Sequence, residues 1–253
     1  MSFFRHGFFR RFRMKYALYL LCICVSNVFA HYFYLETHPS GIKGQSHSVN
    51  IFFGEYGHGL IEKPGGETFE KMKQFTVWVV LPSGKKEQLQ PTKHKTHYSA
   101  SFLPKEEGVY SVHLNNDNID VIDYTKYDFG IFKTHYHSVA KVHVGNTHGK
   151  TATENSLGLD LVDVSDQAPS LNGKVTLQLL HKGIPLSDHE VKVFISDLWE
   201  KPLKTDEKGY VTFSLPWKTT YVVEATRKEQ TPGTFREKPY QFIWQATTHT
   251  INL

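Results

Sequence analysis

Fifteen histidines are spread over 253 residues, and the one at position 31 has the most suggestive surroundings. It follows Asn27-Val-Phe-Ala30 and opens His31-Tyr-Phe-Tyr-Leu-Glu36, a stretch that alternates like a strand. If the chain is cut after Ala30, His31 becomes the first residue and carries an α-amine beside its imidazole. The amine and ring Nδ1 then close a six-membered chelate on a divalent metal. An α-amine has a reference pKa of about 7.7–8.0, so a metal displaces its proton at little cost near neutral pH. No internal histidine can do this.

Other histidines could complete such a site. His58 lies in Gly54-Glu-Tyr-Gly-His-Gly-Leu60, a turn-like setting in which glycines let the backbone approach closely. Glu55 nearby could be a ligand, or could orient the ring through its second nitrogen. Thr134-His-Tyr-His-Ser138 places His135 and His137 two apart, on one face of a strand. Continuing that alternation, His135, His137, Val139, Lys141 and His143 share the wetter face, and Tyr136, Ala140, Val142 and Val144 form the apolar one. His94 and His97 are three apart, which on a strand sends them to opposite faces, so they read as surface residues. The expected set is therefore His31 with two nitrogens, His58, and one or both of His135 and His137.

Composition removes several other chemistries. Both cysteines, Cys22 and Cys24, and two of the three methionines precede residue 31, so the remainder has no thiolate ligand and no methionine-rich cuprous site. What remains are nitrogen and oxygen donors, suited to Ni(II), Co(II), Cu(II) or Zn(II), with copper strongest on raw affinity. No Ser-His-Asp order, paired-carboxylate setting or phosphate loop stands out, so a hydrolase is not expected.

The cut itself is written in residues 1–30. Arg5, Arg10, Arg11, Arg13 and Lys15 come without an acid, an apolar run follows from Tyr16 to Val25, and Val28 and Ala30 are small. That is a secretory signal peptide, with an apolar run of about ten residues where a bilayer core needs roughly twenty. Five of the 29 basic residues belong to it, which leaves 24 bases against 25 acids. The basic balance is thus a targeting property. Neither nucleic-acid binding nor stable membrane insertion after cleavage is expected.

The rest reads as short strands. Ser48–Phe53, Phe75–Leu81, Val109–Leu114, Lys174–Leu180, Val191–Ile195, Tyr210–Leu215 and Tyr221–Ala225 are rich in β-branched and aromatic residues. Pro82-Ser-Gly-Lys85, Glu106-Glu-Gly108 and Asp206-Glu-Lys-Gly209 read as turns. One short helix fits Glu67–Gln74, where acids come first and lysines last. The polar stretch 145–155 is the natural boundary. This predicts an all-β chain of two tandem β-sandwiches, 31–145 carrying the candidate metal site and 156–253 immunoglobulin-like.

Ala30-His-Tyr-Phe-Tyr-Leu-Glu36, Phe52-Phe-Gly-Glu-Tyr-Gly-His-Gly-Leu60, Ser138-Val-Ala-Lys-Val-His-Val-Gly145, Ser156–Asp166 and Thr205–Arg227 arrive in that order. Together they resemble the NikM-like family of exported bacterial proteins, periplasmic components of nickel or cobalt uptake systems. The resemblance covers 31–253, and its specific part is N-terminal, where His31 and His58 match the family pattern. Residues 118–133 depart from it. The resemblance implies a non-enzymatic periplasmic accessory protein that captures nickel or cobalt, with copper or zinc within the donors' reach, for a membrane transporter. Two other readings compete: a metal-free binding or adhesion module of tandem sandwiches, and a copper-dependent oxidase using an N-terminal histidine brace.

Overall fold

Alternation of apolar and polar residues, with little helical periodicity, gives the chain its strands. The computed structural model describes residues 31–253 apart from Thr153 and Asp197. The expected signal peptide, residues 1–30, lies outside the described residues. The principal strands are β1 (Tyr32–Thr37), β2 (His47–Glu55), β3 (Thr76–Val80), β4 (Lys86–Leu89), β5 (Tyr98–Phe102), β6 (Gly108–Asn116) and β7 (Gly130–Val144). They continue with β8 (Leu159–Asp163), β9 (Lys174–His181), β10 (Glu190–Phe194), β11 (Glu200–Lys204), β12 (Tyr210–Ser214), β13 (Tyr221–Glu229) and β14 (Phe242–Ile251). The fold is all-β, as expected, and the one α-helix among the described residues spans Glu67–Met72.

Three sheets hold most of these strands. A five-stranded sheet contains β1, β2 and β5, and a four-stranded sheet contains β8, β9 and β12. Between them runs a ten-stranded sheet in the order β11-β10-β13-β14-β7-β6-β3-β4, with Ser40–Gly41 and Ile122–Tyr124 also paired to β7. At its centre β7 and β14 are parallel, in register from Phe132 opposite Phe242 to Ala140 opposite Thr250.

Strand alternation sends the two faces of this sheet into different cores. Tyr136, Ala140, Val142 and Val144 of β7 and Ala246 of β14 join Phe33, Phe53, Val77 and Val112 in a first core. Tyr136 packs edge-on against Phe33 and Phe53, with ring centroids 5.7 and 5.8 Å away. Burying each such ring contributes roughly 1.5–3 kcal/mol. On the opposite face, Leu161, Leu177, Val193, Val223 and Ile251 belong to a second core under the four-stranded sheet. The polar stretch 145–155 thus separates two cores, while hydrogen-bonded backbone joins the strands on either side of it.

A shared device closes a corner in each half. The Tyr221 hydroxyl accepts the Trp217 N–H at 2.8 Å and donates to the Trp217 carbonyl at 2.9 Å. Tyr110 does the same with Glu106, at 3.3 and 2.9 Å. Such tyrosine corners recur in β-sandwiches.

The histidine row of β7, expected to be the wetter face, is covered instead. His137 and His143 are each 2 % exposed and Lys141 6 %. The cover comes from residues 147–165, which supply an acid or carbonyl to each of these side chains. Lys141 Nζ donates to the Ser165 carbonyl at 2.5 Å and lies 3.5 Å from Asp163. His143 Nδ1 pairs with the Thr147 carbonyl at 3.0 Å.

Candidate functional site

The end of β2 and the turn after it carry the site. Tyr56–His58 form one 3-10 turn, which Gly59 ends in a left-handed conformation (φ 65°), and Leu60–Ile61 then pair back onto Gly54–Glu55. Gly54 permits that return: with φ 151°, a Cβ here would stand 2.0 Å from the Leu60 carbonyl oxygen. The Tyr56 N–H donates to the Tyr32 hydroxyl at 3.1 Å, so the first strand pins the turn. The second half of the chain supports it too. Phe194 stacks on Tyr32 at 6.3 Å, and the Leu198 N–H donates to the Gly57 carbonyl at 2.9 Å.

This arrangement gathers His31, His58 and two acids. His31 Nδ1 lies 3.2 Å from Glu55 Oε1, and His58 Nδ1 lies 3.6 Å from Glu55 Oε2. On its other side, His31 Nε2 meets Glu62 Oε1 at 3.1 Å. The Glu55 side chain is only 4 % exposed, and neither of its oxygens has a hydrogen-bond partner. A buried carboxylate with both oxygens in that state, each beside an imidazole Nδ1, fits a cation held between them. Among the described residues, no group of three or more His, Cys, Asp or Glu already forms a metal-holding cluster. Cleavage before His31 would add its α-amine beside these groups.

Further in, Glu224 of β13 is buried. Burial pushes its carboxyl up to about 8; Lys192 opposes that shift and Glu55 reinforces it. Burial, aided by Glu224, also pushes the Tyr32 phenol well above its ordinary range. A second buried acid next to the site thus keeps its proton at neutral pH.

His135 and His137 do not converge with His31 and His58. The alternation that turns Tyr136 toward the first core turns His137 the other way. There His137 Nδ1 pairs with Asn115 Oδ1 at 2.6 Å and Nε2 with Asp160 Oδ1 at 3.2 Å. Its ring stacks on His113 at 5.5 Å, and burial, with His137 adding to it, pushes the His113 imidazole down to about 3. Burial alone would raise the Asp160 carboxyl, yet His137 and the Asn155 N–H hold it below its usual range. This pair ties the 154–160 segment to the central sheet. His135 is half-buried, and burial, then Lys133, lowers its imidazole. Glu62 and Glu224 carry no motif that marks them in the sequence. His94 and His97 stack at 4.9 Å because a turn lies between them, and they stay at the surface.

A model of the domain of unknown function DUF4198 matches residues 28–229. The chain belongs to the DUF4198 family. That description assigns the family no activity, and no curated protein sequence matches this DUF4198 chain. Two solved structures resemble it distantly. One is a Salmonella alpha-2-macroglobulin reacted with methylamine, 12% identical over 88% of this chain, with a TM-score of 0.25. The other is the BSP domain of a biofilm-associated protein, 10% identical over 86% of this chain, with a TM-score of 0.22. The chain spans 15% and 29% of their lengths. Likenesses this faint carry no argument about DUF4198 fold or function.

Proposed function

We propose that this DUF4198 protein is exported, cleaved before His31, and captures a divalent transition metal in the periplasm for delivery to a membrane transporter. The metal is cargo, and the protein is not an enzyme. The ligands are the His31 amine and Nδ1, His58 Nδ1 and the Glu55 carboxylate. The observation that supports this most directly is Glu55, buried without a hydrogen bond between two imidazole nitrogens. Four nitrogen and oxygen donors of this kind suit nickel, cobalt, copper or zinc. The resemblance to NikM-like proteins favours nickel or cobalt, and it alone suggests the transporter.

Calorimetry on protein beginning at His31 tests the reading, with Ni(II), Co(II), Cu(II) and Zn(II) as titrants. His31→Ala and Glu55→Gln should each weaken binding at least about tenfold, as should one extra residue ahead of His31. Parental affinity in all three would sink the proposal.

A further inference from the structure

The imidazole of His31 has a carboxylate at each nitrogen, and the two contacts differ in kind. Nε2 and Glu62 Oε1 are hydrogen-bonded at 3.1 Å. Nδ1 is as close to Glu55 Oε1, at 3.2 Å, but that oxygen takes part in no hydrogen bond. A neutral imidazole carries one N–H, and its position is set by whichever acceptor it bonds. Glu62 therefore holds the proton at Nε2, and the Nδ1 lone pair faces Glu55.

We infer that Glu62 is a positioning residue that locks His31 in the Nε2–H tautomer and so reserves Nδ1 for a metal. The role rests on the metal site proposed above. Only Nδ1 lies near enough to its own α-amine to close a six-membered chelate. In the opposite tautomer Nδ1 would carry a proton pointed at Glu55, and the chelate could not form. A carboxylate on the remote N–H also makes the ligating nitrogen more basic.

The backbone fits Glu62 for the task. Its N–H donates to the Phe53 carbonyl at 2.9 Å, directly after the Leu60–Ile61 strand that pairs with Gly54–Glu55. The two acids are thus fixed to one strand end, on either side of the same ring. They differ in setting. The Glu62 side chain is 30 % exposed and Glu55 4 %, so Glu62 can trade its bond with water while Glu55 cannot. One acid orients and the other awaits the cation.

The test uses protein beginning at His31, as parent, Glu62→Gln and Glu62→Ala, each checked for a native circular dichroism spectrum. Long-range nitrogen–proton NMR correlations of the metal-free imidazoles report the tautomer, read at pH ~8, above the reference imidazole value of about 6.5. Ni(II) titration reports affinity. The parent should show His31 as Nε2–H. Glu62→Ala should give a tautomer mixture and bind Ni(II) about 10–100-fold more weakly. Glu62→Gln, whose amide oxygen still accepts the N–H, should keep the tautomer and bind nearer the parent than Glu62→Ala does. An Nδ1–H parent, or an alanine variant with parental spectrum and affinity, overturns the inference. If the parent shows Nε2–H and Glu62→Ala the mixture, but the parent takes up no Ni(II), the metal-capture reading fails and the tautomer assignment stands.

Discussion

Glu224 offers a quantitative check on how the site is built. Its carboxyl rises from a reference of 4.5 to about 8 in the folded protein, mainly through burial. Between those values the unfolded chain has lost the proton and the folded chain keeps it. The resulting stability is fully present below about pH 4.5 and is lost as pH rises through about 8. A rise of this size, at 1.36 kcal/mol per unit, corresponds to about 5 kcal/mol as an upper bound. Glu224→Gln keeps the shape and cannot ionise. In urea unfolding of metal-free protein followed by tryptophan fluorescence, parent and variant should match within about 1 kcal/mol near pH 4.5. They should then diverge with rising pH, until the variant is about 3–5 kcal/mol more stable above pH 8. Removing the like charge with Glu55→Gln should lower the folded Glu224 carboxyl, so the divergence still begins near pH 4.5 but levels off at lower pH and reaches a smaller maximum. Parallel pH profiles for parent and Glu224→Gln would refute the enclosed, protonated acid.

Gly54→Ala should lower stability by at least about 2 kcal/mol in the same urea assay, because the added Cβ meets the Leu60 carbonyl at 2.0 Å; an unchanged midpoint would contradict the described return of the chain. His137→Ala should cost about 3–5 kcal/mol by stranding Asp160, while calorimetry on the folded protein finds Ni(II) affinity unchanged. Loss of Ni(II) binding in a folded His137→Ala protein would return that residue to the ligand set. Ni(II) affinity of the parent should fall steeply below about pH 6, as protons compete for the amine and for imidazoles of reference pKa about 6.5; a flat profile argues against a histidine site. N-terminal sequencing of secreted protein should begin at His31.

Local features were legible in the residues. The 3-10 turn at Tyr56–His58 follows from its glycines, and the helix at Glu67–Met72 from the order of its charges. Alternation correctly divided β7 into two faces. What covers a face is a tertiary fact, however, and no pattern within 130–144 announces it. The His137 row reads as solvated because it is polar. It is buried because Asp160 and Asp163, beyond the linker, supply the matching charges. Glu62 and Glu224 were hidden for a related reason, since a lone acid on a strand or turn looks the same whether it meets water or an imidazole.

The parallel pairing of β7 with β14 also dictates an order of assembly. β7 ends at Val144 and its partner starts only at Phe242, so the central seam closes across nearly a hundred intervening residues. Such distant closure is slow, because the entropy of a long loop is lost before the new contacts form. Until then, the facing edges of β7 and β13 present unpaired N–H and C=O groups, templates for another chain. The DUF4198 match stops at residue 229, short of β14. A polypeptide ended there would keep the whole His31–Glu55–His58 turn, yet lack Ala246 from one core and Ile251 from the other and remain open along its middle. The last strand is a closing stitch, and its late arrival sets the interval during which the newly made chain is most exposed to aggregation.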